Sequence, residues 1–177
     1  SRDFAELAAE VYAANEITVH LPPAGTFMST PELSHAVRAI SSDAGLVISA
    51  SHNPPDDNGS KFYHAHGGQV VPPYDEQMAA QVSQVRSVDR LSLDRARATG
   101  LVRELGPEVR DKYLHTNLNC SRSPSARDAH VVFTPLHGTG RATVAWVLDA
   151  AGFRVDLEPS QASYDGEFPG VPFRAPN

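Results

Sequence analysis

The chain has 177 residues, of which 41% are hydrophobic and 20% charged, a balance typical of a soluble globular protein of one or two domains. Its net charge of −6 argues against a nucleic-acid surface or an anionic membrane as the main partner. No apolar run approaches the roughly 20 residues that span a bilayer, and no N-terminal signal segment is recognisable. The single cysteine, Cys120, cannot form an internal disulfide, which fits a reducing cytoplasm.

The chain opens with a helical pattern followed by an extended one. Apolar side chains at helical spacing predict a helix over residues 4–14, with Ser1 as its N-cap. Asn15 is the candidate for a left-handed residue that ends this helix. A strand is predicted at residues 17–21.

The next two elements repeat this order. Thr30, as N-cap before a proline, predicts a second helix that runs to about Ile40. Short strands are predicted at residues 46–48 and 62–63. Helices alternating with strands indicate an α/β layered fold.

Helices and strands are also predicted in the rest of the chain. An arginine-rich polar segment there is expected to be a solvated connection, with the domain boundary near residue 100. The predicted elements are a helix at 76–85, the connection at 86–103, a helix at 107–118, a strand beginning at His130, a helix at 142–151 and a strand at 153–157.

The loop between the strands at 46–48 and 62–63 consists almost wholly of turn-forming residues. Asn58-Gly59 predicts a tight turn with positive φ, which would fold Lys61 back towards Ser51. A hydroxyl and an amine brought together in this way could act as a nucleophile and a proton-transfer partner. The composition alone favours a solvated hairpin loop, because these residues occur in any exposed turn.

The order of residues in this loop is more specific than its composition. The loop reads Ser-Ala-Ser-His-Asn-Pro, then three residues, Asn-Gly, one residue and Lys. This string closely resembles the active-site signature of the α-D-phosphohexomutases, the phosphoglucomutase/phosphomannomutase family. One departure is Ser49, where that family usually has Thr. Thr-Pro-Leu-His-Gly-Thr-Gly at residues 134–140 resembles the family's second-domain motif, and residues 165–171 are similar to its Asp-x-x-Phe-Pro-x-Val loop. Residues 174–177 depart from the family pattern.

The resemblance implies two layered α/β/α domains of the phosphohexomutase type. Residues 1–99 would be domain I, with the phosphoserine loop but without its opening strand, and residues 100–177 would be domain II. The activity implied is a mutase that interconverts 1-phospho and 6-phospho hexoses through a phosphoserine enzyme and a bisphosphate intermediate. A phosphopentomutase of the same family is an alternative.

The resemblance also implies roles for four residues. Ser51 would carry the phosphoryl group, and Lys61 would be a general acid/base on the sugar hydroxyl. His52 and Asn53 would position the phosphoryl group and hydrogen-bond to it.

The implied cofactors are Mg²⁺, bound through the phosphorylated Ser51, and a hexose 1,6-bisphosphate as activator. The remaining Mg²⁺ ligands would lie outside this chain, because the family's Asp-Gly-Asp-type loop does not occur in it. The chain alone is therefore predicted to be catalytically silent. The expected partner is a small-molecule sugar phosphate, with no nucleic acid and no membrane; neither the sugar nor the oligomeric state can be predicted.

Two other classes of protein and one other kind of site stay open. A hydrolase that uses Ser51 would need a histidine across the site, whereas the adjacent His52 normally points away from Ser51. A non-catalytic sugar-phosphate binding module or a gene remnant is the other class. His64 and His66 could form a metal pair, but a polar strand edge is favoured because no third ligand stands at a defined spacing.

Overall fold

A computed structural model describes residues 1–51, 53–54, 56–122, 126–169 and 171. The chain forms two compact units, one made of Ser1–Ser49 and Asn58–Gly106, the other of Ala50–Asp57 and Pro107–Asn177. The predicted boundary at residues 99/100 stays a prediction, and the first unit extends seven residues beyond it, through Gly106.

Helices and strands alternate along most of the chain, so the predicted α/β fold class is confirmed. The helices are α1 (Arg2–Ala14), α2 (Thr30–Ala39), α3 (Tyr74–Val82), α4 (Leu93–Ala98), α5 (Pro107–Leu118) and α6 (Val144–Ala150). The strands are β1 (Val19–Leu21), β2 (Ala44–Ile48), β3 (Ser60–His64), β4 (Val102–Glu104), β5 (His130–Phe133) and β6 (Arg154–Leu157). Short 3₁₀ turns occur at Thr139–Ala142 and Pro159–Gln161.

The first unit contains a parallel strand pair, β1–β4, that packs with α1 and α4. Small alanine side chains let the two helices approach each other closely, and these alanines are almost completely buried. The buried cluster comprises Ala9, Ala13, Ala96 and Val102, with Val19, Leu21, Leu91, Leu93 and Leu101 packed against it.

An antiparallel hairpin, β2–β3, forms the other sheet of the first unit and runs in register from Ala44 opposite His64 to Ile48 opposite Ser60. Helix α2 packs against β2. This contact is close at Gly45, where a Cβ atom would lie 2.6 Å from the Val37 side chain.

The second unit contains a β–α–β arrangement in which β5 and β6 pair in parallel and α6 connects them. Helix α5 packs against α6, and the rings of His115 and Trp146 meet edge to face with their centroids 5.5 Å apart. No helix in the described part of the chain is both long and apolar enough to cross a membrane.

Residues 93–104 correct the prediction of a solvated connection at 86–103. They form α4 and β4, and Ala96 is fully buried. Glu10 holds this segment on α1, because its carboxylate accepts hydrogen bonds from the Arg90 guanidinium and from the backbone N–H of Leu93 at 3.0 Å. The sequence did not indicate this packing, because the apolar residues that face the core are widely spaced among arginines and other polar residues.

The ends of the first two helices also differ from prediction. Ser29, not Thr30, is the N-cap of α2, and it forms a capping box with Glu32. At the end of α1 the left-handed residue is Glu16 (φ 61°), not Asn15 (φ −100°). The amides of Glu16 and Ile17 donate to the carbonyls of Ala13 and Tyr12, the pattern of a Schellman motif.

Candidate active site

The loop that carries the signature residues is closed at its base by backbone pairing. The Ser49 amide donates to the Gly59 carbonyl at 2.9 Å, and the Gly59 amide returns a bond to the Ser49 carbonyl at 3.1 Å. This pair continues the β2–β3 ladder by one step beyond Ile48 and Ser60. The Ser1 hydroxyl donates to the Asn58 side-chain oxygen at 2.8 Å, so the start of α1 also holds the end of the loop.

Within the loop, two tight turns replace the single turn expected at Asn58-Gly59. The Asn53 amide donates to the Ala50 carbonyl, and the Asp57 amide donates to the Pro54 carbonyl, each at 3.0 Å. The predicted positive φ at Asn58-Gly59 is wrong, because neither residue is among those with left-handed φ. Gly59 instead pairs with Ser49, and the left-handed residue of the loop is Ser51, with φ 56°.

The structure describes three of the four predicted catalytic residues. Ser51 and Asn53 are exposed and lie in the segment Ala50–Asp57, which forms part of the second unit. Lys61 is partly buried on β3 of the first unit, opposite Val47. His52 lies outside the described residues. The roles of these residues stay predictions.

The residues present do not by themselves make a metal site. Across the described ranges there is no group of three or more His, Cys, Asp or Glu side chains that could hold an ion. Ser51 alone therefore does not constitute the Mg²⁺ site that the resemblance implies. His64 and His66 stack with ring centroids 5.1 Å apart, and His66 Nδ1 accepts the Gly68 amide at 3.1 Å.

The second motif, at residues 134–140, forms a turn whose backbone amides are already used. The Leu136 amide donates to Thr134 Oγ1 at 3.1 Å, and the amides of His137 and Gly138 donate to the carbonyls of Gln161 and Pro135. A glycine turn between a strand and a helix can hold a phosphate on its backbone amides. These three donors point to partners within the protein, so the turn's first amides do not form such a cradle.

His137 lies in this turn, and no role is predicted for it from the sequence. Its side chain is buried, and its Nδ1 atom lies 2.9 Å from the Ser163 carbonyl oxygen. Its ring meets the Phe168 ring edge to face, with centroids 6.3 Å apart. Both partners are more than 25 residues away in sequence, and no local pattern in the sequence indicates this anchor.

The fold and the loop together define a two-unit α/β protein that presents an exposed serine next to a hairpin. Residues 1–89 match the profile "Phosphoglucomutase/phosphomannomutase, alpha/beta/alpha domain I", and residues 111–177 match the corresponding domain II profile. The chain therefore belongs to the phosphoglucomutase/phosphomannomutase family.

Curated relatives agree with this membership, and a solved structure agrees with the fold. The chain is 32% identical over 180 residues to a Staphylococcus saprophyticus phosphoglucomutase, covering 99% of this chain and 32% of that protein. It is 35% identical over 175 residues to a Staphylococcus aureus phosphoglucomutase, covering 97% and 31%. A Thermus thermophilus structure assigned as a phosphomannomutase shares the fold, with a TM-score of 0.75 at 23% identity over 96% of this chain and 36% of that one. The chain thus spans about a third of the length of these relatives.

Proposed function

We propose that this chain supplies the phosphoserine loop of a phosphohexomutase, with Ser51 as the phosphocarrier. The observation that carries the proposal is the signature string on an exposed loop at the end of a hairpin, in a chain that belongs to this family. An exposed hydroxyl is accessible to a soluble sugar phosphate, which a buried serine would not be.

The proposed reaction is a phosphoryl transfer in two directions. In the first half, the P–O bond to Ser51 Oγ breaks while a P–O bond forms to a sugar hydroxyl oxygen, and the hydroxyl proton passes to Lys61. The resulting hexose bisphosphate reorients. In the second half, its other phosphoryl group returns to Ser51 Oγ, and Lys61 gives the proton to the sugar oxygen that leaves.

Asn53 and His52 are proposed to hold the phosphoryl group while it is transferred. The amide of Asn53 offers both a donor and an acceptor, and a histidine ring can donate to a phosphoryl oxygen. Binding of Mg²⁺ through the phosphorylated Ser51 stays a prediction, and its other ligands would lie outside this chain. Activation by a hexose 1,6-bisphosphate also stays a prediction.

The test is a chimera in which this chain replaces the matching segment of the Staphylococcus aureus phosphoglucomutase. We expect conversion of glucose 1-phosphate to glucose 6-phosphate, and we expect Ser51→Ala to abolish it. Ser83→Ala is the matched control, since Ser83 is another exposed serine and its hydroxyl only caps the end of α3. An active Ser51→Ala chimera would contradict the proposal.

Two further assays separate this function from the alternatives. The isolated 177-residue chain should show no turnover, and a measurable mutase rate from it would overturn that part of the proposal. Mannose, glucosamine and pentose phosphates offered to the active chimera would identify the sugar. Binding of glucose 6-phosphate to the isolated chain, with an inactive chimera, would support a binding module instead.

A further inference from the structure

Among the described non-glycine residues, the left-handed backbone conformations outside helix ends all lie in loops of the second unit. Among the residues described, the non-glycine residues with positive φ are Glu16, Ser41, Ser51, Leu136, His137 and Phe168. Glu16 and Ser41 end α1 and α2 in Schellman motifs, a common place for this conformation. The other four have no such explanation, and all of them lie in the second unit.

Leu136 and His137 are the most unusual of these because they are consecutive, with φ values of 48° and 61°. A non-glycine residue held in this region is strained, so it persists only where surrounding contacts fix it. A glycine is immediately adjacent, yet Gly138 has an ordinary φ of −93°. Leu136 and His137 therefore adopt this conformation next to Gly138, a residue that would tolerate it without strain.

Contacts from the segment that follows β6 hold the turn in place. The Thr134 hydroxyl donates to the Gln161 side-chain oxygen at 2.6 Å, and the His137 amide donates to the Gln161 carbonyl at 2.9 Å. The His137 side chain adds the bond to Ser163. Because a carbonyl oxygen can only accept, Nδ1 carries the hydrogen in both the neutral and the protonated ring, and this anchor does not depend on the charge of His137.

We propose that the Leu136–His137 turn is a positioning element for the Ser51 loop, and that His137 is the residue that fixes it. The loop Ala50–Asp57 belongs to the same compact unit as this turn, and it contains another of the unexplained left-handed residues, Ser51. Strained backbone of this kind clusters at sites where geometry must be fixed in advance. The functional part of this inference rests on the proposed phosphoryl transfer, whereas the structural part does not.

The structural part is tested by NMR on the 177-residue chain. In Leu136→Gly, which frees the backbone of the turn, and in His137→Gln, which removes the bond to Ser163, we expect the amide resonances of Ser51 and Asn53 to shift. In His137→Gln we also expect the Asn53 amide to exchange about fivefold faster, the effect of losing one hydrogen bond's worth of local stability. His137→Asn should behave like the wild type, because the Asn amide nitrogen can replace Nδ1 as a donor to Ser163. Should His137→Gln fail to fold, Leu136→Gly decides the question.

Glu16→Gly is the matched control, since it relieves the same backbone conformation at a helix end in the other unit. It should leave the Ser51 and Asn53 resonances unchanged. The Gly152 amide, which closes the end of α6, reports whether the second unit itself stays intact. Unchanged Ser51 and Asn53 resonances in Leu136→Gly, or equal shifts in Glu16→Gly, would overturn the proposal.

Turnover in the chimera then tests the functional part. We expect His137→Gln to lower kcat about tenfold with little change in KM, and His137→Asn to restore it, as for a residue that aligns a reacting group. An inactive wild-type chimera with the NMR shifts present would reject the mutase function and leave the positioning role standing. An active chimera that is unaffected by His137→Gln would reject the positioning role in catalysis.

Discussion

The Ser34 hydroxyl donates a 2.6 Å hydrogen bond to the Gly67 carbonyl, which joins helix α2 to the turn after β3. Gly67 has φ 81°, and a Cβ atom there would lie 2.6 Å from the Ser34 carbonyl oxygen and 2.4 Å from the Arg38 guanidinium. The helix and the turn therefore meet at a contact that only glycine permits.

Gly67→Ala should consequently lower the free energy of unfolding by about 3 kcal/mol or more, the sum of backbone strain and a clash with backbone atoms. Gly25→Ala is the matched control, because Gly25 has φ 73° but a Cβ atom there would meet no other atom within 4 Å. That variant should lose only about 1 kcal/mol. Urea unfolding of both variants measures the difference, and equal losses would show that the close approach to Ser34 contributes nothing.

Glu16→Gly should stabilise the first unit by about 0.5–1 kcal/mol, because glycine adopts the left-handed conformation of a Schellman motif without strain. Glu16→Ala is the control, since it removes the side chain but keeps the strain, and it should be nearly neutral. Gly100 ends α4 with φ 76° in the same hydrogen-bond pattern, so Gly100→Ala should destabilise the protein. Denaturant midpoints of the three variants provide the measurement. A loss of stability in Glu16→Gly would contradict the strain at this helix end.

The pKa of Glu10 lies below its ordinary value, first because Arg90 donates a side-chain hydrogen bond to the carboxylate and then because the Leu93 amide does. A lowered folded-state pKa stabilises the protein above the unfolded-state pKa of about 4.3, and this stabilisation is lost as the pH falls through the folded-state value.

Glu10→Gln should therefore flatten the loss of stability as the pH falls below about 4.3, the ordinary pKa of a glutamate. Arg90→Met removes the largest cause of the pKa shift of Glu10. It should flatten the loss of stability only partly, because the bond from Leu93 remains. Unfolding midpoints measured across this pH range check both variants. If Glu10→Gln lost stability at acid pH as steeply as the wild type, Glu10 would be excluded as a contributor to that loss.

Lys61→Arg should lower turnover of the chimera by about 10²–10⁴-fold, the usual contribution of general acid–base catalysis. Arginine keeps the positive charge but does not give up its proton, so it cannot take up the proton of the sugar hydroxyl. Lys112→Arg, on α5, is the control and should keep the wild-type rate. A Lys61→Arg chimera with wild-type turnover would assign Lys61 a purely electrostatic role.

Much of the fold could be predicted because local patterns specify it. The helix at Pro107–Leu118 has the predicted bounds, since a proline at its first position and turn formers after its last residue mark both ends. The strands β2 and β3 occur where short apolar runs predict them, although each is longer than its apolar core because the hairpin pairing recruits Ala44 and His64. The signature string likewise identified the loop and the family from its residues alone.

What the sequence did not specify depends on partners far away along the chain. The left-handed residues are Ser51 and Glu16 rather than Gly59 and Asn15, because ladder pairing and a helix-end motif, not residue preference, set φ at those positions. The buried anchor of His137 joins groups 26 residues apart.

The sequence by itself therefore determined the α/β class, most of the elements and the residues of the candidate active loop. Only the tertiary structure decided which of those residues carry strained backbone, which amides of the second motif are already bonded, and that Leu93–Ala98 and Val102–Glu104 pack in the first unit. The reason is physical: hydrophobic period and turn chemistry act over a few residues, whereas backbone strain and buried hydrogen bonds are set by contacts that form only when distant segments meet.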